Sequence, residues 1–249
     1  MPRISYLVCA TERSGSSLLC ELLGATGVAG RPGEPFEVRP ATGRPRQPRE
    51  YFEGVDDPTI LDRLAPPLAP LPQPDWQTRL RAAVEQGTTS NGVFGAKMMW
   101  AYLHDFVAHG EPEEQLGPLE WVHIARVDKV RQAVSLWRAI QTSQWRAGDR
   151  DACVGEPVFH AGAIAHLKQR LEEHERGWAA WFAERGLSPL EVTYEELSAD
   201  PAATVRRVLD HLGLPEVPIP APPLDRQSDD LSRQWAERFR EEVPGLRGR

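Results

Sequence analysis

The stretch "TERSGSS" (Thr11–Ser17) carries the residue types of an anion cradle: an arginine, a glycine and several hydroxyls. It follows the apolar run "ISYLVCA" (4–10), which reads as a buried strand. It precedes a helical pattern over 15–26, with Leu18, Leu19, Leu22 and Leu23 on one face and Gly27 as the stop. A strand–turn–helix unit aims unpaired backbone N–H groups, and the positive end of the helix dipole, at one point. Gly15 allows close approach of an oxyanion, and Arg13 adds a bidentate positive fork. The loop that grips ATP needs a lysine after its last glycine, and here Ser16 and Ser17 stand instead. On residue types alone, a Ser-capped helix start with no ligand is an equal reading. A small-molecule kinase with a degenerate phosphate loop and a non-catalytic nucleotide-binding scaffold also stay open.

Two further stretches hold candidate chemistry. In "HIARVDKVRQAVSLWRAIQ" (123–141), Arg126 ends a strand and Ser135 lies about two turns into the next helix. Such a pair suits one phosphate, although any strand–helix unit can carry an Arg and a Ser. The loop "GRPGEPFE" (30–37) offers Glu34 and Glu37. A carboxylate can take a hydroxyl proton if its pocket excludes water. A lone Glu in a polar loop is otherwise a solvated charge. Lys97, ending a strand in "GAKMMW", can reach a transferring group or pair with an acid. His160 and His166 read as packing or helix–helix hydrogen-bonding groups. Trp100, Trp137, Trp178 and Trp181 read as core.

The elements that must position these residues alternate. Strands are expected at 4–10, 92–97, 119–126 and 190–194. Helices are expected from Asp57, over Trp76–Glu85, from Asp128 to about Trp145, over 157–185, after Asp200 with Pro201 in its first turn, and over the last stretch "SDDLSRQWAERFREE". Alternation predicts an α/β domain with a central, mainly parallel sheet flanked by helices, and ligands beyond the carboxyl ends of its strands. Residues 28–50, rich in Gly, Pro and Arg, cannot form a long regular element; a loop of that length is usually functional or disordered. No composition shift divides the chain, so a single domain over 1–249 is expected.

The bulk composition narrows the classes. A net charge of −7 over 249 residues argues against a general nucleic-acid or membrane-surface binder, which would need a basic face. Cys9, Cys20 and Cys153 have neither disulfide-framework nor zinc-site spacing. No His/Cys/Asp cluster has metal spacing, so no metal is expected. No apolar run approaches the roughly 20 residues of a membrane span, and "MPRISYLVCA" is too short in apolar residues for a signal peptide. A cytoplasmic protein is expected.

Taken together these stretches resemble a known family. "ERSGSSLL" resembles the 5′-phosphosulfate loop of sulfotransferases, and Arg126 with Ser135 their 3′-phosphate motif. "VTYEELSADPAATVRRVLDHLG" resembles the strand–helix unit that follows in that superfamily. "ATGVAG", "PREYF", "NGVFGAKMMW", "QAVSLWRAIQT", "HAGAIAH", "GWAAWF" and "RQSDDLSRQW" resemble segments of the bacterial trehalose 2-sulfotransferase family, over nearly the whole chain.

The resemblance implies a P-loop-like sulfotransferase fold. It also implies 3′-phosphoadenosine 5′-phosphosulfate as donor, adenosine 3′,5′-bisphosphate as product, in-line sulfuryl transfer to a hydroxyl, and a homodimer. It assigns Arg13, Ser14, Gly15, Ser16 and Ser17 to the phosphosulfate, and Arg126 and Ser135 to the 3′-phosphate. By the same resemblance Arg226, Gln227 and Ser228 are expected to close over the 3′-phosphate or the adenosine, and Glu34 to be the general base. Glu12, the segment Arg31–Glu37 with Gly33, Phe36 and Glu37, and also Arg46 and Tyr51, are expected to line the acceptor site.

The missing lysine fits this donor, which has no γ-phosphate to clamp. The trehalose enzymes of the family have Gln where this chain has Glu12 and an acid where it has Arg31. They have Phe for Pro35, Pro for Arg46 and Trp for Tyr51. The expected acceptor is therefore a sugar, a glycoside or another small hydroxylated metabolite.

Overall fold

The structure, a computed structural model, describes residues 2–37, 48–64, 74–145, 156–219 and 230–243. In chain order the elements begin with β1 (Ile4–Ala10), α1 (Ser16–Ala25), a 3-10 helix (Pro48–Phe52), α2 (Pro58–Leu61) and α3 (Trp76–Gly87). Next come β2 (Val93–Met99), α4 (Trp100–Val107), α5 (Pro112–Leu116), β3 (Leu119–Ala125) and α6 (Lys129–Thr142). The chain continues with α7 (Ala161–Glu184), β4 (Leu190–Thr193), α8 (Tyr194–Ala199), α9 (Pro201–His211) and α10 (Asp230–Glu242). The chain divides into two compact units. One comprises Met1–Glu37, Pro74–Val127 and Glu173–Pro223; the other comprises Val38–Gln73, Asp128–Glu172 and Leu224–Arg249.

The first unit contains the sheet, in strand order β2-β1-β3-β4, with every neighbouring pair parallel. This is the expected α/β architecture, with helices on both faces. Alternation along the strands assigns the two faces. Tyr6, Val8, Ala10, Val122, Ile124 and Val192 pack with Leu19, Leu22 and Leu23 of α1, Leu197 of α8 and Val205, Val208 and Leu209 of α9. Leu7, Cys9, Phe94, Ala96, Met98 and Trp121 pack on the opposite face with residues of α3, α4, α5 and the end of α7. A sheet covered on both sides needs strands apolar at nearly every position, which explains "ISYLVCA". Lys97 is the exception: it lies in β2, whose residues are all buried, and shares the α1-facing parity of Val93 and Met99.

Local chemistry fixes the helix starts. Asp75, Asp128 and Asp200 each accept a backbone N–H from the first turn of α3, α6 and α9. Three differences from the sequence expectation have physical causes. β4 stops at Thr193, because Thr193 and Glu196 form a reciprocal capping box that opens α8. The helix after Asp128 ends at Thr142 rather than near Trp145, because Ser143 turns left-handed at φ 55°. α7 starts at Ala161, where His160 Nδ1 accepts the N–H of Ala163. Helices α4 and α5 were not anticipated either.

The second unit packs Phe52, Trp137, Ile164, Leu167, Leu171, Trp235 and Phe239 into its own core. Arg240 clasps both carboxylate oxygens of Asp128, each at 2.8 Å. Trp137 and Trp178 are fully buried and Trp181 is nearly so, as expected of core residues. Cys9 and Cys20 are buried thiols; Cys153 lies outside the described residues. Among the described residues no helix is long and apolar enough to cross a membrane, and no group of three or more His, Cys, Asp or Glu could hold a metal.

Candidate active site

The turn after β1 opens α1 without a serine cap. Gly15 occupies the N-cap of α1 in the left-handed region, at φ 91° and ψ 3°, and no side chain caps the helix. The Ser14 hydroxyl is buried with no hydrogen-bond partner among the described residues. A buried, unpartnered hydroxyl costs about 1–3 kcal/mol, which an anion accepting its proton would offset. Arg13 is also left-handed, at φ 60°, a conformation that costs a non-glycine residue about 1–2 kcal/mol. Strain of this kind collects where a loop is shaped for a ligand. Behind the turn, Trp178 donates its indole N–H to the Ala10 carbonyl at 3.0 Å, fixing the end of β1.

Arg126, just past β3, reaches this turn. The residue is about nine-tenths buried, and Nη1 donates to the Arg13 carbonyl at 3.4 Å. It lies 4.3 Å above the ring of Tyr194, the first residue of α8. The same ring packs on Gly15, where an added Cβ would come within 2.7 Å of Cδ2. Tyr194 therefore backs both this turn and Arg126. Sequence reasoning missed it, because an aromatic after an apolar run reads as one more strand residue. The signal that could have found it is the capping box, Thr193–x–x–Glu196.

The segment carrying Glu34 is tied to the outer side of β2. Gly33 forms a parallel bridge with Ala96, and its carbonyl accepts the Lys97 N–H at 2.7 Å. The Glu37 N–H closes a turn on the Glu34 carbonyl at 3.4 Å. Phe36 is buried among Trp76 and Phe106, and Arg79 donates to its carbonyl. Glu37 is buried and accepts from the Tyr102 hydroxyl at 3.0 Å. Glu34 itself forms an ion pair with Lys97, 3.1 Å from Oε1 to Nζ, with its side chain 9% exposed. The same ammonium donates to Ser17 Oγ at 3.0 Å. Lys97 thus links the start of α1 to the one carboxylate in this segment that faces it.

The remaining site residues are placed as follows. Glu12 is buried, with Oε2 3.8 Å from His174 Nδ1 on α7; beside it Thr11 donates to Glu175 at 3.5 Å. Ser16 is buried at the start of α1. Arg31 is exposed, with its N–H bonded to the Gly87 carbonyl. Ser135 is half-buried on α6, in the second unit. Tyr51, also in the second unit, is buried, stacks on Trp145 and lies under Arg170. His166 Nε2 hydrogen-bonds the Tyr51 carbonyl and His160 Nε2 pairs with Thr59, so both imidazoles tie elements together. Arg46, Arg226, Gln227 and Ser228 lie outside the described residues.

The profile of the Stf0 sulphotransferase family matches residues 5–242. This match defines the class: the chain is a sulfotransferase. More narrowly, the chain belongs to the Stf0 sulphotransferase family. It is 44% identical to a trehalose 2-sulfotransferase of Mycobacterium tuberculosis, covering 97% of this chain and 96% of the relative. It is 40% identical to a trehalose 2-sulfotransferase of Mycolicibacterium smegmatis, covering 96% and 95%. Among solved structures, a sulfotransferase from Alicyclobacillus acidocaldarius aligns over 99% of this chain and 96% of its own, at 10% identity and TM-score 0.49.

Proposed function

We propose that the enzyme moves a sulfuryl group from 3′-phosphoadenosine 5′-phosphosulfate to a hydroxyl of a sugar or glycoside, with Glu34 as general base. The observation that carries this reading is the position of Glu34. It is a nearly buried carboxylate, joined through one ammonium to the first turn of the helix behind the phosphosulfate loop. The closeness of this carboxylate to the turn after β1, within the first unit, supports the reading. The similarity to two trehalose 2-sulfotransferases supports a sugar acceptor, with trehalose the first candidate.

In this reading the backbone N–H groups at the start of α1, the Ser14 hydroxyl, Gly15, Ser16, Ser17 and Arg13 hold the phosphosulfate. The unpartnered Ser14 hydroxyl fits that donor. Arg126 takes the 3′-phosphate. Ser135, Arg226, Gln227 and Ser228 join the donor site through the family motif alone. Transfer is in line: the acceptor oxygen attacks sulfur as its proton passes to Glu34, and negative charge grows on the bridging oxygen. Preorganised donors around that oxygen lower the barrier without reorganising. Glu12, Arg31, Gly33, Phe36, Glu37, Arg46 and Tyr51 shape the acceptor side. No metal is needed in this reading. The single sulfotransferase domain, the homodimer and the cytoplasmic location belong to it as well.

The test is an acceptor screen with sulfate-labelled donor, read by mass, with trehalose among the candidates. Wild type yields a sulfated product, and Glu34→Gln loses about 10²- to 10⁴-fold in transfer rate, the usual contribution of a general base, while still binding adenosine 3′,5′-bisphosphate. Stabilisation by ATP–Mg²⁺ in preference to adenosine 3′,5′-bisphosphate would overturn the donor assignment.

A further inference from the structure

We infer that Lys97 is a catalytic residue, supplying from the neighbouring strand the positive charge that the phosphosulfate loop lacks. The inference rests on the sulfuryl-transfer reading above and goes beyond it by assigning the stabiliser of the leaving group. Three observations carry it.

The first is cost. Lys97 is 3% exposed, in a strand whose other residues are all buried. Removing an ammonium from water costs several kcal/mol, and a single ion pair seldom returns all of it. A lysine kept there solely to hold the fold would be a poor choice beside a well-packed apolar residue. The second is direction. Register pairs Lys97 with Val8, and the parity of β2 turns its side chain to the α1 face, where the phosphosulfate turn opens. The third is its partners. Nζ lies 3.0 Å from Ser17 Oγ and 3.1 Å from Glu34 Oε1. One partner belongs to the donor loop and the other is the base. An ammonium has three N–H donors, so these two contacts leave a third for the donor nucleotide.

The bond changes define its task. The S–O bond to the acceptor forms, and the bond from sulfur to the bridging oxygen breaks with its electron pair staying on the 5′-phosphate. The acceptor proton ends on Glu34. Lys97 keeps all its protons and donates a hydrogen bond to the departing oxygen. In ATP-binding loops a lysine within the loop provides this charge. Here the loop has Ser16 and Ser17 at the corresponding place, and the charge enters sideways from β2.

A lysine that only orients Glu34 predicts a different pattern from one that acts on the leaving oxygen, and a double-mutant cycle separates them. Single-turnover transfer from labelled donor to the acceptor returned by the screen is measured for wild type, Lys97→Met, Glu34→Gln and the double variant. Loss of one transition-state donor costs roughly 10²- to 10³-fold. The inference expects Lys97→Met to lose that much in the wild-type background and most of it again in the Glu34→Gln background. No further loss in the Glu34→Gln background overturns it. Should Lys97→Met fail to fold, as shown by its melting curve, Lys97→Ala with added ethylammonium replaces it. Restoration of at least about tenfold, the scale of part of one such donor, supports the inference, and no restoration overturns it. If wild type itself transfers no sulfate to any acceptor, the function reading fails, and the cycle is not what failed.

Discussion

The ring of Tyr194 lies against Gly15, so close that a Cβ on that glycine would sit 2.7 Å from Cδ2. Gly15 is also left-handed, which an alanine adopts at a cost of about 1–2 kcal/mol. Gly15→Ala therefore carries both strain and a clash against a ring that supports Arg126. The expected outcome is a loss of stability of roughly 1–3 kcal/mol in urea denaturation. Affinity for adenosine 3′,5′-bisphosphate falls at least about tenfold by calorimetry, equivalent to about 1.4 kcal/mol. Unchanged affinity would show that the turn does not touch the donor.

Tyr194 supports Arg126 through the face of its ring, 4.3 Å from the guanidinium carbon. A partly buried cation–π contact contributes about 0.5–2 kcal/mol. Tyr194→Leu should weaken adenosine 3′,5′-bisphosphate roughly 2- to 30-fold, since about 1.4 kcal/mol is tenfold. Tyr194→Phe keeps the ring and should keep most of the affinity. Equal losses in both variants would assign the effect to the hydroxyl instead.

The capping box of α8 gives a pH dependence. Hydrogen bonds from the Thr193 backbone N–H and then its hydroxyl hold the Glu196 carboxyl below the ordinary glutamate range. A carboxylate depressed in the folded state stabilises at pH above its unfolded value, and that stability is lost as pH falls through the folded value. Glu196→Gln should cost a few tenths to about 1 kcal/mol at pH 7, because the group is largely exposed. The difference from wild type should shrink below about pH 4, where the unfolded carboxyl is protonated. Urea melts at pH 7 and pH 3.5 check this. A difference that grows on acidification would reverse the sign and rule the capping account out.

The sheet and its first helix were legible in the amino-acid sequence because two-sided burial demands uninterrupted apolar strands. The strand–turn–helix unit was legible because Gly15 stands between an apolar run and a face of leucines at helical spacing. Lys97 was only half legible. Its residue type allows either an acid partner or a reacting group. What decides is the parallel pairing of β1 with β2, which turns Nζ toward both Ser17 and Glu34. Glu12 shows a different limit. Its neighbour His174 is far away in sequence, so nothing local announces that this carboxylate is buried against α7. Tyr194 was hidden by boundary placement, since one residue more of strand erases a helix N-terminus. In each case the missing information is which distant backbone lies alongside, and pattern within one segment cannot supply it.

The hydrogen bond from Lys97 N–H to the Gly33 carbonyl has a consequence for solubility. β2 is an outer strand, with a rim of amide groups that another chain could pair with. The segment of residues 30–33 screens that rim: Gly33 bridges Ala96, and Gly30 nestles so tightly that a Cβ there would be 2.7 Å from the Gly95 nitrogen. The strip that delivers Glu34 is thus also a hem along the open side of the sheet. In the proposed reading the same strip borders the acceptor, so substitutions that loosen it for a larger acceptor would uncover β2 and raise the tendency to self-associate.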